Sequence, residues 1–129
     1  MLESTFILTA FIATTLGVLD VGQVMYFHQG IVERVRHAAS WSSRRAYDAT
    51  EIRNVVLYNT ETPSNNATPT FQHMTAAMVD VSLEDTGTPS ARVMVRVKNY
   101  PYTFYSPWIA RMYTARQITA VATHEPSLP

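Results

Sequence analysis

Residues 1–20 read MLESTFILTAFIATTLGVLD, and this stretch decides the fold. It carries no charge between Glu3 and Asp20, and its apolar side chains fall on every face of a helix rather than along one stripe. A helix that is apolar all round must be buried in lipid or among other helices. The run continues beyond Asp20 through residues 21–27, which supplies the roughly 20 residues that a membrane-spanning helix needs.

The polar and small residues within this run are compatible with a buried helix. A threonine hydroxyl can bond to the carbonyl one turn earlier, so four threonines are tolerable there: Thr5, Thr9, Thr14 and Thr15. Gly17 and Gly22 each lower helix propensity by about 1 kcal/mol relative to alanine. They also let a neighbouring helix approach closely.

Length and composition limit the remaining possibilities. The chain has 129 residues, enough for one domain or for one small domain with an appendage. Hydrophobic residues make up 47% and charged residues only 16%, against about 25% in ordinary globular proteins. The 10 Lys and Arg residues balance the 10 Asp and Glu residues, which argues against nucleic-acid binding. The absence of cysteine excludes disulfides and thiolate metal sites.

The helical pattern continues beyond the apolar run but becomes amphipathic. Gly30 does not end it, because IVERVRHAASWSSRRAY (Ile31 to Tyr47) keeps apolar residues on one side and charged residues on the other. Asp48 and Glu51 resemble a capping box, which predicts a kink or restart near Tyr47. A short helix should then run through Tyr58, with its inward face formed by Ile52, Val55 and Val56.

A polar loop follows, with the sequence TETPSNNATPT (Thr60 to Thr70). Its Pro, Thr, Ser and Asn residues are typical of an exposed loop. Asn66 begins an Asn-Ala-Thr triplet, which matches the acceptor for N-glycosylation. An unmodified polar surface loop is the alternative.

Three alternating segments predict a small antiparallel sheet. Apolar and polar residues alternate over 79–84 and over 92–98, and DTGTP (Asp85 to Pro89) supplies the turn between them. The outer faces of these two strands carry opposite charges, which favours their pairing as a hairpin. The alternation returns at Ile118, Ala120 and Ala122, which predicts a third strand.

Together these patterns predict an α+β fold. A long N-terminal helix, kinked or restarted near residue 47, carries a three-stranded antiparallel sheet packed on its C-terminal half. The predicted division is a hydrophobic helix over residues 1–29, for a membrane or a filament core, and a small head over residues 30–129. Because the sheet needs only the second half of the helix, the first half must find lipid or other copies of the chain.

Motifs of catalysis and metal binding are missing from the sequence. The four histidines have no metal-ligand spacing, and no phosphate-binding loop, zinc-protease motif or nucleophile motif is present. We therefore predict no enzyme activity, no cofactor and no metal. The aromatic stretch YPYTFYSPWIARMY (Tyr100 to Tyr113) has two interpretations. It is a stacking platform for sugars or an adhesive patch. Alternatively, it is a hydrophobic loop that covers the sheet edge or packs on a neighbouring subunit.

The charges that flank the apolar run bear on topology. The first basic residues, Arg34 and Arg36, follow the run, and the flank before it is acidic. The positive-inside rule taken literally would place the C-terminal domain in the cytoplasm. An exported head requires a basic leader upstream of Met1.

The chain resembles the TadE-like pilins and pseudopilins of tight-adherence (type IV-like) pilus systems. The similar stretches are ESTFILTAFIATTLGVLDVGQVMY (Glu3 to Tyr26), VRHAASWSSRRAY (Val35 to Tyr47), VKNYPYT (Val97 to Thr103) and QITAVAT (Gln117 to Thr123). This resemblance implies a pilin-like fold and a basic leader removed after glycine by a prepilin peptidase. It also implies an acidic residue near the mature N-terminus that neutralises the α-amino group of a neighbouring subunit.

Carried onto this sequence, the resemblance assigns that role to Glu3, although type IV pilins carry the glutamate at the fifth mature position. A solvated acid at the start of a helix, where it suits the helix dipole, is the alternative for Glu3. The predicted subunit interface consists of this residue and the apolar residues around it: Glu3, Phe6, Ile7, Leu8, Phe11, Ile12, Leu16 and Leu19.

The sequence therefore predicts a structural pilin-like subunit. It would reside in the inner membrane as a precursor, and pilus assembly machinery would then polymerise it through its N-terminal helix into an extracellular filament for surface attachment. The partners are copies of the same chain and no nucleic acid. A minor pseudopilin for initiation or the pilus tip, and a monomeric single-pass anchor for a small binding domain, are the alternatives.

Overall fold

The chain forms one long α-helix, two short α-helices, a 3₁₀ turn (Ala76–Met78) and a small sheet in a computed structural model that describes residues 1–113 and 116–125. Residues 114–115 and 126–129 of the predicted head lie outside the described residues. The helices and strands in chain order are α1 (Leu2–Ser42), α2 (Ala49–Tyr58), β1 (Val79–Glu84), β2 (Arg92–Val97), α3 (Pro107–Met112) and β3 (Ile118–Thr123). The α+β fold with a long N-terminal helix and a three-stranded antiparallel sheet is confirmed.

The described chain divides into two compact units. The first consists of Met1–Gln29 with the described residues of Tyr102–Thr114, and the second consists of Gly30–Pro101 with the described residues of Ala115–Pro129. The helix α1 contributes to both units. The sequence-based division at residue 30 did not anticipate that residues 102–113 belong with the N-terminal half of α1.

The sheet has the order β1-β2-β3, with both pairs antiparallel. Asp80 lies opposite Arg96 and Glu84 lies opposite Arg92, so the predicted charge complementarity of the hairpin is confirmed. Arg92 Nε lies 3.3 Å from Glu84 Oε2. The turn between the strands requires its glycine, because Gly87 has a φ of 79°, a left-handed conformation that side chains disfavour.

Asp48 starts α2, as the capping pattern predicted. Its Oδ1 accepts hydrogen bonds from the backbone N–H groups of Thr50 at 2.8 Å and Glu51 at 3.2 Å. These bonds satisfy two of the donors that a helix leaves free at its start. The break between α1 and α2 therefore lies at residues 43–48, where the restart near Tyr47 was expected.

The core of the second unit lies between the helices and the sheet. The valines at alternate positions of β2 are buried, as is one apolar face of α1 beyond Gly30 and one of α2. These core residues are Ile31, Val35, Ala38, Ala39, Ile52, Val55, Val56, Leu57, Val93, Val95 and Val97. The inward face predicted for α2 is thus confirmed. The C-terminal half of α1 buries its apolar face in the same core as the sheet.

Two polar side chains close the edge of this core. The guanidinium of Arg34 lies over the ring of Phe71, 5.7 Å from its centroid, and partial burial lowers the pKa of Arg34 from its ordinary value. The Tyr100 hydroxyl donates a 2.8 Å hydrogen bond to the carbonyl of Gln72, and burial raises the pKa of Tyr100. The Tyr100 phenol therefore stays protonated and able to donate at neutral pH.

Gly30 is required by packing rather than by backbone conformation. A Cβ at this position would lie 2.9 Å from Cε1 of Phe71, whereas nothing lies within 4 Å of a Cβ built at Gly22 of the same helix. Phe71 is buried, so its ring has little room to withdraw.

Replacing Gly30 by leucine should lower the free energy of unfolding of the second unit by about 1–3 kcal/mol, the usual cost of overpacking. The matched control is Gly22→Leu, which introduces the same side chain into open space and should leave that free energy unchanged. Urea unfolding of the full chain in detergent micelles, followed by Trp41 fluorescence in a Trp108→Phe background, measures both. Equal midpoints for the two variants would contradict this role of Gly30.

Candidate assembly helix and its aromatic segment

The N-terminal part of α1, residues 2–29 (the apolar half-helix), exposes a large apolar surface. Phe6 is 77% exposed and Phe11 is 67% exposed. Other exposed large apolar side chains on it are Leu2, Ile7, Leu8, Ile12, Val18, Leu19, Val21, Met25 and Tyr26. An ordinary soluble monomer rarely leaves so many neighbouring apolar side chains in water, so this surface indicates a contact with lipid or protein.

The four threonine hydroxyls within the apolar half-helix are satisfied by its own backbone. Thr9 donates to the carbonyl of Thr5, Thr14 to that of Ala10, and Thr15 to that of Phe11, each at 2.8 Å. Thr5 donates to the carbonyl of Met1 at 3.2 Å. The predicted back-bonding is therefore confirmed, and these hydroxyls need nothing from water. The surface can enter an apolar environment without stranding them.

The residues predicted to form the subunit interface lie along this surface. Phe6, Ile7, Leu8, Phe11, Ile12 and Leu19 are exposed, as is Glu3, and Leu16 is half-buried. Among the described residues, Glu3 takes part in no ion pair. Because Glu3 lies in the first turn of α1, its charge also suits the helix dipole.

Asp20 is the one acid of the apolar half-helix besides Glu3, and its side chain is fully buried. Its Oδ1 accepts a 2.6 Å hydrogen bond from the backbone N–H of Tyr105, and its Oδ2 accepts a 2.8 Å bond from the N–H of Ser106. These donors lie just before α3, which begins at Pro107. The Asp20 carboxylate thus accepts hydrogen bonds from the N–H groups at the start of α3, beginning 85 residues further along the chain, and it fixes the start of α3 to α1.

Residues 102–113 are called the aromatic segment. Contacts between aromatic rings hold this segment together. The rings of Tyr102 and Tyr113 meet edge to face at 5.4 Å, and Phe104 lies 5.3 Å from Tyr113. Nδ1 of His28 lies 3.2 Å from the hydroxyl of Tyr102, which gives a second polar contact to α1. Tyr105 and Trp108 remain exposed, by 60% and 46%.

Neither the anchoring role of Asp20 nor the helix α3 was predicted from the sequence. Asp20 was treated only as an interruption of the apolar run. The aromatic stretch was predicted to be a stacking platform for sugars, an adhesive patch, or a loop that covers the sheet edge or packs on a neighbouring subunit. The segment packs along the apolar half-helix, where it supplies the two donors that the buried carboxylate of Asp20 needs. Ser106-Pro107 carried a signal for α3, since serine is a common N-cap and proline a common first helical residue.

Removing the carboxylate should release the aromatic segment. In Asp20→Ala the N–H groups of Tyr105 and Ser106 lose their acceptors, so local opening becomes easier and chymotrypsin should cut after Phe104 or Tyr105 roughly tenfold faster. Glu33→Ala, which removes an exposed acid from the same helix, is the control and should cut at the wild-type rate. Limited proteolysis in detergent micelles with mass analysis of the fragments measures this, and unchanged cleavage in Asp20→Ala would refute the anchoring role.

Other predicted sites are surface features. Asn66 is exposed in its polar loop, where it is accessible to modification. Among residues 1–113 and 116–125, no three His, Asp or Glu side chains lie close enough together to hold a metal ion. His124 contacts the carbonyl of Arg45 through Nε2 at 3.0 Å, which gives that histidine a structural role.

One described helix, α1, is long and apolar enough to cross a membrane, with a mean hydropathy of 1.7 over its most apolar 18 residues. Only 6% of that window is buried, which distinguishes it from the core helix of a soluble domain. A signal sequence near an N-terminus can meet the same criteria of length and apolar composition. The chain matches no family model, no curated protein and no solved structure.

Proposed function

We propose that the protein is a structural subunit of a type IV pilus-like (Tad-type) filament that polymerises through its apolar half-helix and serves surface attachment. The observation that supports the proposal is the exposed apolar surface from Phe6 to Tyr26, for which the described chain supplies only the aromatic segment as cover. In the filament, the same surface of other copies provides the rest. The role is structural, with no catalytic step and no cofactor.

The free energy of burying the apolar half-helix favours a subunit that waits in the membrane before assembly rather than one that is free in water. Burying one large apolar side chain from water contributes roughly 1.5–3 kcal/mol, so subunits free in water would aggregate. From lipid the gain is much smaller, because lipid is already apolar and close helix packing must replace the lipid contacts. The proposal therefore includes a membrane-held precursor and an energy-driven assembly machinery. The resemblance to TadE-like pilins adds the inner membrane as the precursor's location and a prepilin peptidase as a partner.

Glu3 has a specific part in this proposal. It is exposed and forms no ion pair among the described residues, yet it borders the surface that assembly would bury. A carboxylate buried among apolar helices costs several kcal/mol unless a cation pairs with it. The α-amino group of a neighbouring subunit is the cation that we propose for it.

A monomeric single-pass anchor is the second candidate function. It is favoured by the same membrane-compatible helix and by the exposed aromatic residues Tyr105 and Trp108, which suit stacking on sugar rings. In that case the apolar half-helix would stay surrounded by lipid, and each head would act alone.

Mechanical shearing of intact cells, without detergent, separates the two candidates. A filament subunit should appear in the sheared supernatant, pellet on ultracentrifugation and form fibres in electron micrographs. An anchored monomer should stay with the membrane fraction. Recovery of the chain only from membranes, under conditions in which cells express it strongly, would overturn the filament proposal.

A further inference from the structure

The position of Asp20 relative to Glu3 sets the depth of the helix in a membrane. Glu3 is exposed, so it must stay near one boundary of the hydrocarbon layer. That layer is about 30 Å thick, which α1 crosses in about 20 residues at a rise of 1.5 Å per residue. The second boundary then falls near Gln23, and Asp20 lies about one turn inside it. A carboxylate at this depth requires shielding from lipid, and the N–H groups of Tyr105 and Ser106 provide it.

The aromatic segment therefore lies at the level of this second boundary. It contacts α1 at Asp20 and again at His28, two turns further on, which spans the last turn in hydrocarbon and the first turns outside it. Residues 99–110 carry no charged side chain. Residues 102–110 of the segment can consequently enter the headgroup region without desolvating a charge, and Arg111 is the one charged residue of the segment.

The exposed residues of the segment have the chemistry of a membrane interface. Tyr105, Trp108 and Tyr113 are 60%, 46% and 38% exposed. Tyrosine and tryptophan are enriched at the level of lipid headgroups, because each has an apolar ring and a polar group that stays hydrated. Asp20 fixes the backbone of the segment, so these rings are presented at a defined height along α1.

We propose that the aromatic segment is an interfacial membrane anchor, which seats Tyr105 and Trp108 among lipid headgroups and fixes the depth of the apolar half-helix before assembly. The occupant of this surface is the lipid interface rather than another protein. The inference rests on the membrane-held precursor of the proposed function. It adds a second site of membrane contact, 85 residues away in sequence from the helix residue that holds it.

The two tryptophans of the chain allow a direct test. Trp41→Phe leaves Trp108 as the only indole, and Trp108→Phe leaves Trp41, which lies in the second unit against Arg45 and is the matched control. Each full-length variant is reconstituted into phosphatidylcholine vesicles whose acyl chains carry bromine at either a shallow or a deep position. Flotation measures insertion, and fluorescence measures quenching by bromine.

The expected result is that both variants float with the vesicles. Trp108 emission should shift to the blue and be quenched more by shallow than by deep bromines, whereas Trp41 emission should lose no intensity. Flotation with an unquenched Trp108, or with Trp108 quenched mainly by deep bromines, would overturn the interfacial anchor and leave the filament proposal intact. Failure of both variants to float would overturn the membrane-held precursor, and with it both proposals.

Discussion

Replacing Phe11 by aspartate should abolish filament formation while leaving the second unit folded. Phe11 is 67% exposed in the middle of the apolar half-helix, so the substitution breaks no contact of the core. It places a charge where the proposal puts lipid first and neighbouring helices later. An aspartate at the centre of a membrane-spanning helix costs about 2.5–3.5 kcal/mol in insertion measurements.

That cost recurs in every copy, so sheared filament material should fall far more than tenfold, a change that needs only about 1.4 kcal/mol. Thr119→Asp is the matched control, because it introduces the same side chain at an exposed position of β3 opposite Arg96. The control should yield wild-type amounts of filament. Normal filaments from Phe11→Asp would show that the apolar half-helix is not an assembly surface.

The second large effect separates folding from assembly on one helix. Ile31 is fully buried in the core of the second unit, whereas Ile7 is 68% exposed. Ile31→Ala should lower the free energy of unfolding of the second unit by about 2–5 kcal/mol, the usual cost of deleting buried methyl groups. Because small domains are stable by only about 5–15 kcal/mol, this loss is large.

Ile7→Ala removes the same atoms from the same helix, and it should leave the unfolding midpoint unchanged while lowering the yield of sheared filament. Urea unfolding in detergent micelles, followed by Trp41 fluorescence, measures the first property, and the shearing assay measures the second. Similar midpoints for Ile7→Ala and Ile31→Ala would mean that the two halves of α1 do not have separate roles.

The elements of the fold that are set by interactions between residues close together in the sequence could be predicted. Asp48 caps α2 through residues two and three positions further on, so four residues contain the whole signal. The hairpin follows from alternation on either side of one short turn. Period and capping chemistry are local properties, and local properties are visible in a single sequence.

The link between Asp20 and the aromatic segment could not be predicted in this way. Its two sides lie 85 and 86 residues apart, and the donors are backbone N–H groups, which every residue except proline carries. What the sequence did offer was a physical requirement: an acid within an apolar helix needs a partner. Applied to Asp20 as well as to Glu3, that requirement would have predicted that Asp20 has a hydrogen-bonding partner. Only the structure shows that the partner is the aromatic segment.

The close approach at Gly30 was also outside the reach of pattern analysis. The helical pattern correctly indicated that Gly30 does not end α1, but it could not show that the ring of Phe71 occupies the space of a side chain there. Gly17 and Gly22 look the same in sequence, and nothing lies within 4 Å of either. Which glycine is needed, and for what, depends on residues far away in the chain.

The most direct test of the central claim is disulfide cross-linking between copies on the cell surface. The chain has no cysteine, so a single introduced cysteine can form a disulfide only with another molecule. Leu8→Cys, on the exposed apolar half-helix, should give cross-linked chains in sheared filament material, whereas Thr119→Cys on the sheet should not. If Leu8→Cys stays monomeric under oxidation while Thr119→Cys cross-links, the apolar half-helix is not the surface through which copies of this chain assemble.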